Sequence, residues 1–483
     1  MNPLLLIIII LGYFGILIII SLFTSKNVNN EGFFIGNRRS PWYVVAIGML
    51  GTSISGVTFI SVPGWVQTTQ MTYMQMVFGF VLGYAVIAYV LLPVYYRLKL
   101  PSIYTYLDER FGNSTYKTGA LFFLFSRLLG SALRLFVVAY VLHFMIFDKI
   151  NIHFSVTVII TLLFIWFYTF KGGIKTIIWT DLLQTFFMFT ALIITIILIA
   201  KDLNFGFVDT VSAIYNSDMS KMFEFSDWYS KQHFVKQFIS GALTTIVMTG
   251  LDQDMMQKNL SCRNLKDARK NMISYGFAFL PANLLFLSLG VLLMIFAQNH
   301  GIDPSLIEKD SLYPYIAENV LGQGVLLLFI IGLMSSAYSS ADSALTALTT
   351  SFTVDILGIK NKTENQIKKT RKITHILMSL ALGAIIMIIY EINQKSIIDA
   401  IYTVASYTYG PLLGLYSFGL FTKIKVKEKL VPTVAIASPL LCLGINYLLK
   451  NYLGYTMGYE LLLMNGGITF IGLMLMKSPA KNS

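Results

Sequence analysis

The chain has 483 residues, of which 55% are hydrophobic, 14% aromatic and only 12% charged. A soluble domain carries roughly 25% charged residues, so this composition excludes an ordinary soluble fold and indicates an integral membrane protein. The formal net charge of +12 would suit a nucleic acid, but the positions of the basic residues assign it to membrane topology and give no nucleic-acid partner.

The amino terminus, MNPLLLIIIILGYFGILIIISLF, lacks a basic leading segment and a small-residue cleavage site and is long enough to span. It reads as a retained first helix over 3–24 rather than a secretory signal. Residues 40–96 contain no Lys, Arg, Asp or Glu. About 20 apolar residues cross a ~30 Å hydrocarbon core, so this stretch holds two spans, 41–66 and 70–97. Further spans are expected at 116–147, 153–170, 174–200, 233–257, 271–298, 323–356, 373–392, 396–422, 429–449 and 459–476, about 13 in all. Such continuous apolar runs exclude a β-barrel, whose strands alternate.

Alternating sides along these spans puts 26 Lys and Arg on one face and 8 on the other, with Arg127 and Arg134 inside a span. The basic face is cytoplasmic by the positive-inside rule. The amino terminus is then outside and the carboxyl terminus cytoplasmic. The longest connections, 201–232 and 299–322, fall on the outer side and leave no room for a large soluble domain. No G-x-x-x-x-G-K-[ST] phosphate loop is present, so an ATP-driven pump is excluded. The five histidines are scattered without ligand spacing, which gives neither metal catalysis nor an enzyme. Cys262 falls in a cytoplasmic loop, where Lys258 is also placed, and Cys442 lies in a late span, so no disulfide is expected between them.

Ionisable groups inside a membrane cost about 2.5–3.5 kcal/mol each on insertion scales and mark function by default. Here they are Arg127, Arg134, Asp181, Asp252, Asp254 and Asp342. The stretch LMSSAYSSADSALTAL, Leu333 to Leu348, adds five serines and a threonine to its aspartate. Helical spacing sets Ser335, Ser339 and Asp342 on one stripe and Ser336, Ser340 and Ser343 on the next. Such a face serves either close helix packing or a hard cation that wants neutral oxygens. GMLGTSISGVTFISVPG, Gly48 to Gly64, reads either as a glycine-rich packing face or as a broken helix whose free carbonyls point at an ion.

Four stretches then occur in order: LPVYYRLKLPSIYTYLDERFG, GGIKTIIWTDLLQ, GLDQDMMQKNLSCRNLKDARK and GLMSSAYSSADSALTALTTSFTVDI. With them the chain resembles the sodium/solute symporter family, whose members carry sugars, proline, iodide, vitamins and sialic acid. The resemblance implies a single all-α transporter domain over 1–483 with a LeuT-type five-plus-five inverted repeat. Residues 3–24 are an extra helix, 41–200 the first repeat, 233–422 the second, and 429–476 two further helices.

Carried over by the same resemblance, the main sodium site falls on the carbonyls of Gly51, Ile54 and Gly332 and the hydroxyls of Ser335 and Ser336. A second sodium site in some members corresponds to Asp181, Ser335 and Ser339. Tyr338 stands where those members have a hydroxyl residue, which counts against that second ion. The solute positions are Ser53, Ser55 and Thr58, with Gln75, Thr245 and Arg134. Sugar carriers have amides and carboxylates here, and proline carriers an aspartate at Ser53. Sialic acid carriers instead pair hydroxyls with an arginine, which Arg134 matches, a guanidinium fitting a carboxylate through two parallel hydrogen bonds. Arg127 is assigned to snorkelling or gating, and Asp342 to a structural role.

The expectation is therefore a sodium-coupled symporter of the cell (inner) membrane, with Na+ as coupling ion and no obligatory protein partner. It imports a small polar solute, with a carboxylate such as sialic acid the leading class. The competing readings are a proton-coupled or channel-like carrier of a neutral solute, and a solute sensor on the same fold.

Overall fold

The structure, a computed structural model, describes residues 3–98, 102–307, 309–392, 397–455 and 457–478. Its helices are α1 (Pro3–Thr24), α2 (Asn30–Ile35), α3 (Trp42–Ser53), α4 (Gly56–Thr69), α5 (Tyr73–Val86), α6 (Leu92–Leu98), α7 (Thr105–Arg110), α8 (Asn113–Leu142), α9 (Phe154–Gly172) and α10 (Ile174–Asp202). They continue with α11 (Phe207–Asn216), α12 (Phe234–Thr245), α13 (Gln253–Leu260), α14 (Leu265–Asn299), α15 (Leu312–Asn319), α16 (Gly322–Ser351), α17 (Glu364–Ile392), α18 (Ile397–Phe421), α19 (Val431–Leu453) and α20 (Leu461–Leu475). No strand occurs among the described residues; the isolated bridges Ser40 to Cys262 and Val426 to Lys477 join connections. In lipid every backbone group must be satisfied within the chain, and a helix does that locally.

Among the described residues nine helical segments are long and apolar enough to cross a membrane, or eleven when each of two bent pairs is one span. The remaining expected spans, 396–422 and 459–476, hold the 25-residue α18 and the 15-residue α20.

The centre of the bundle is α16, in which every residue from Gly332 to Ser351 is buried. A helix this polar survives in a membrane because α3, α4, α8, α9, α10, α13 and α17 surround it. The outer helices turn apolar side chains to lipid: α1 exposes Ile8, Leu11, Ile19, Leu22 and Phe23. On its inner side α1 stacks Phe14 on Phe164 of α9 at 4.1 Å, and its Ser21 hydroxyl donates to the Tyr168 carbonyl at 2.6 Å.

Two helices are broken inside the bundle. The first bends by 60° between α3 and α4, where Ile54 leaves the helical region (φ −81°, ψ 80°). The second bends by 65° between α12, with its π-helical turn Ile246–Gly250, and α13. Asp252 caps α13 there, its carboxylate accepting from the Asp254 N–H at 2.9 Å. Glycine decides how closely the first break approaches its neighbours. A Cβ at Gly51 would lie 2.0 Å from Thr185 Oγ1 of α10, and one at Gly332 would lie 2.5 Å from the Phe59 ring of α4.

Candidate functional site

The broken end of α3 and α4 lies between α10 and α16, so the reading of Gly48–Gly64 as an interrupted helix holds in the structure. On α16, Ser336 Oγ donates to the Leu333 carbonyl at 2.9 Å, leaving its oxygen free to accept. Ser335 Oγ is buried with no hydrogen-bond partner, an orphan that ordinarily costs about 1–3 kcal/mol. Tyr13 of α1 lies against both Ser335 and Gln184 of α10, yet neither its hydroxyl, Ser335 Oγ nor the Gln184 amide makes a hydrogen bond of good geometry. Buried neutral oxygens left unpaired suit a hard cation, so this donor set fits sodium. Tyr13 lies in no motif; Gln184 closes the GGIKTIIWTDLLQ stretch, but sequence reasoning gave it no role.

Asp181 is fully buried on α10 and both of its carboxylate oxygens are hydrogen-bonded. Oδ1 accepts from Ser339 Oγ at 2.7 Å; Oδ2 accepts from Thr52 Oγ1 at 3.2 Å and from Lys258 Nζ at 2.6 Å. Lys258 also hydrogen-bonds Thr52 Oγ1. The expected cytoplasmic position of Lys258 is thus corrected: the bend after α12 turns α13 back into the bundle, and Lys258 is 1% exposed. Asp342 instead accepts from Tyr168 at 2.8 Å and Ser343 at 3.1 Å. Tyr338 turns its ring onto Phe14 of α1, with centroids 4.9 Å apart.

A cavity opens against the first break, lined by Ser53, Ser55, Thr58, Arg134 and Thr245 together with Tyr84 and Tyr275. Ser53 Oγ meets Tyr275 OH at 2.5 Å, and Tyr84 OH donates to Tyr275 OH at 2.8 Å. Five of the six solute-site positions therefore converge. Gln75 does not: its amide donates to the Gln232 carbonyl at 2.8 Å and accepts from the Glu224 N–H at 2.9 Å, which ties down the connection between α11 and α12.

Arg127 lines the same cavity and does not snorkel. It is 5% exposed and pairs with Asp254, with Asp252 at 3.6 Å, while Tyr409 of α18 hydrogen-bonds Asp252. These residues bridge α8, the second break and α18. Cys262 and Cys442 are both free and buried.

The family model for the sodium:solute symporter family matches residues 33–429. The chain belongs to that family. It is a sodium-coupled symporter and a multi-pass membrane protein, and sodium is its coupling ion. A sodium/sialic acid symporter of Proteus mirabilis (strain HI4320) is 23% identical over 429 residues, covering 86% of this chain and 84% of the relative. One of Aliivibrio fischeri (strain ATCC 700601 / ES114) is 23% identical, covering 85% and 82%. A human sodium-coupled monocarboxylate transporter is 24% identical, covering 81% of this chain and 64% of that protein. A solved structure of a Na+-coupled sialic acid symporter, substrate-bound and outward-open, superposes with a TM-score of 0.84 at 20% identity, covering 99% of both chains.

Proposed function

We propose that this symporter imports a small organic carboxylate, sialic acid being the leading member of the class, with sodium held between the first break and α16. The observation that carries the solute class is that Arg134 lines one cavity together with the hydroxyl residues Ser53, Ser55 and Thr58. Guanidinium binds carboxylate through two parallel hydrogen bonds in a site that water leaves, and hydroxyls suit a polyol tail. The sialic acid and monocarboxylate relatives support the same chemistry.

In this reading Gly51, Ile54 and Gly332 supply carbonyls and Ser335 and Ser336 hydroxyls to the ion. The chain crosses about 13 times as an inverted repeat, 41–200 and 233–422, whose first helices are the two broken ones. With the basic face cytoplasmic, the cavity's outer wall is the Trp65–Tyr73 pair, whose rings also line a second cavity among the outer connections. The inner seal is the Arg127 cluster. Sodium and solute bind from outside, and rocking of the bundle breaks that seal and releases both inward.

The test is uptake of labelled acids (sialic acid, short monocarboxylates) against neutral polyols into proteoliposomes, with sodium or potassium outside. Saturable, sodium-dependent uptake of an acid, abolished in Arg134→Ala and weakened in Arg134→Lys, is expected. Uptake of a neutral solute alone, unchanged in Arg134→Ala, overturns the carboxylate assignment.

A further inference from the structure

Nothing in the symport cycle above uses Lys258. We infer that its ammonium is a tethered cation filling the Asp181–Ser339 position, so that one sodium ion rather than two binds per chain. This rests on the sodium-symport reading and concerns only the number of ions.

Asp181, Ser339, Lys258 and Thr52 come from α10, α16, α13 and α3, and none is more than 3% exposed. A second sodium here would need the Asp181 carboxylate and the neighbouring hydroxyls. Lys258 already holds Asp181 Oδ2 at 2.6 Å and the Thr52 hydroxyl, so its ammonium stands among the oxygens that a second ion would use. An ammonium and a sodium ion carry the same charge, and two such charges about 4 Å apart repel by ~4 kcal/mol at an effective dielectric of 20. The pair is also self-sufficient: a buried carboxylate is stable when paired and hydrogen-bonded, and this one is. Tyr338 agrees with the assignment, since its side chain turns away to Phe14 and leaves the position one oxygen poorer.

Removing the ammonium while keeping the carboxylate should return the position to a free cation. The experiment is equilibrium binding of radioactive sodium to the purified chain in detergent, counted as ions per chain. One ion is expected for wild type, two for Lys258→Ala, whose shortened side chain leaves room, and one for the charge-free pair Asp181→Asn/Lys258→Met. Two ions in wild type, or a folded Lys258→Ala that still binds one, overturns the inference. Should Lys258→Ala not fold, wild type against the charge-free pair decides: one ion in both supports it, whereas two falling to one overturns it. No sodium bound by wild type would remove the symport reading itself.

Discussion

Arg127 shows what a single charged residue can stabilise in this bundle. Its guanidinium is 5% exposed and faces Asp254 and Asp252. Deleting one partner of such a buried set leaves charge uncompensated and costs about 3–5 kcal/mol. Arg127→Met is therefore expected to lower stability by that amount, read as the denaturant midpoint in detergent. Adding Asp252→Asn and Asp254→Asn should recover most of the loss, because the remaining groups are neutral and still hydrogen-bond. A midpoint unchanged in the single variant contradicts the pairing. The two acids lie inside the GLDQDMMQKNLSCRNLKDARK stretch, but their partner lies 127 residues before Asp254 on a helix where an arginine reads equally well as snorkelling. Burial, which no local pattern encodes, distinguishes the two.

The unit that matters among the elements is the broken α3–α4 helix held against α10. Thr185 Oγ1 donates to the Asp181 carbonyl at 2.7 Å and so cannot easily withdraw from a methyl placed on Gly51. Gly51→Ala should push the break off α10 and raise the sodium concentration for half-maximal thermal stabilisation on the order of tenfold, ~1.4 kcal/mol of binding. Ser335→Ala/Ser336→Ala should abolish the sodium-specific rise over potassium. Gly12→Ala, on α1, meets nothing within 4 Å and should leave the response unchanged. An unaltered sodium response in Ser335→Ala/Ser336→Ala returns those serines to packing.

The spans were legible because apolar runs need a fixed length, whereas the first break was one of two open readings, since a glycine-rich packing face uses the same residues. The role of Lys258 was not legible. It sits one residue past an apolar run, where composition says loop, and only the turn of α13 at Asp252 carries it inside. Gln75 misled for the opposite reason: a polar residue near the expected cavity was already engaged by the α11–α12 connection 149 residues away.

For the whole molecule, what matters is what crosses and what stays. Lys258 and Asp181 form a neutral pair within the bundle, so neither adds to the charge carried per cycle. One sodium accompanied by one carboxylate is then an electroneutral cargo. Imposing a 100 mV diffusion potential, inside negative, should leave acid accumulation unchanged, whereas a cycle with a second sodium would gain ~2.3 kcal/mol, about 50-fold in the accumulation ratio. A voltage-steepened accumulation would show that net charge moves. On a cycle of one sodium and one carboxylate, a lysine fixed in the wall would make the carrier deaf to voltage: with sodium tenfold higher outside, the acid would be concentrated about tenfold and no further, however strongly the membrane is polarised.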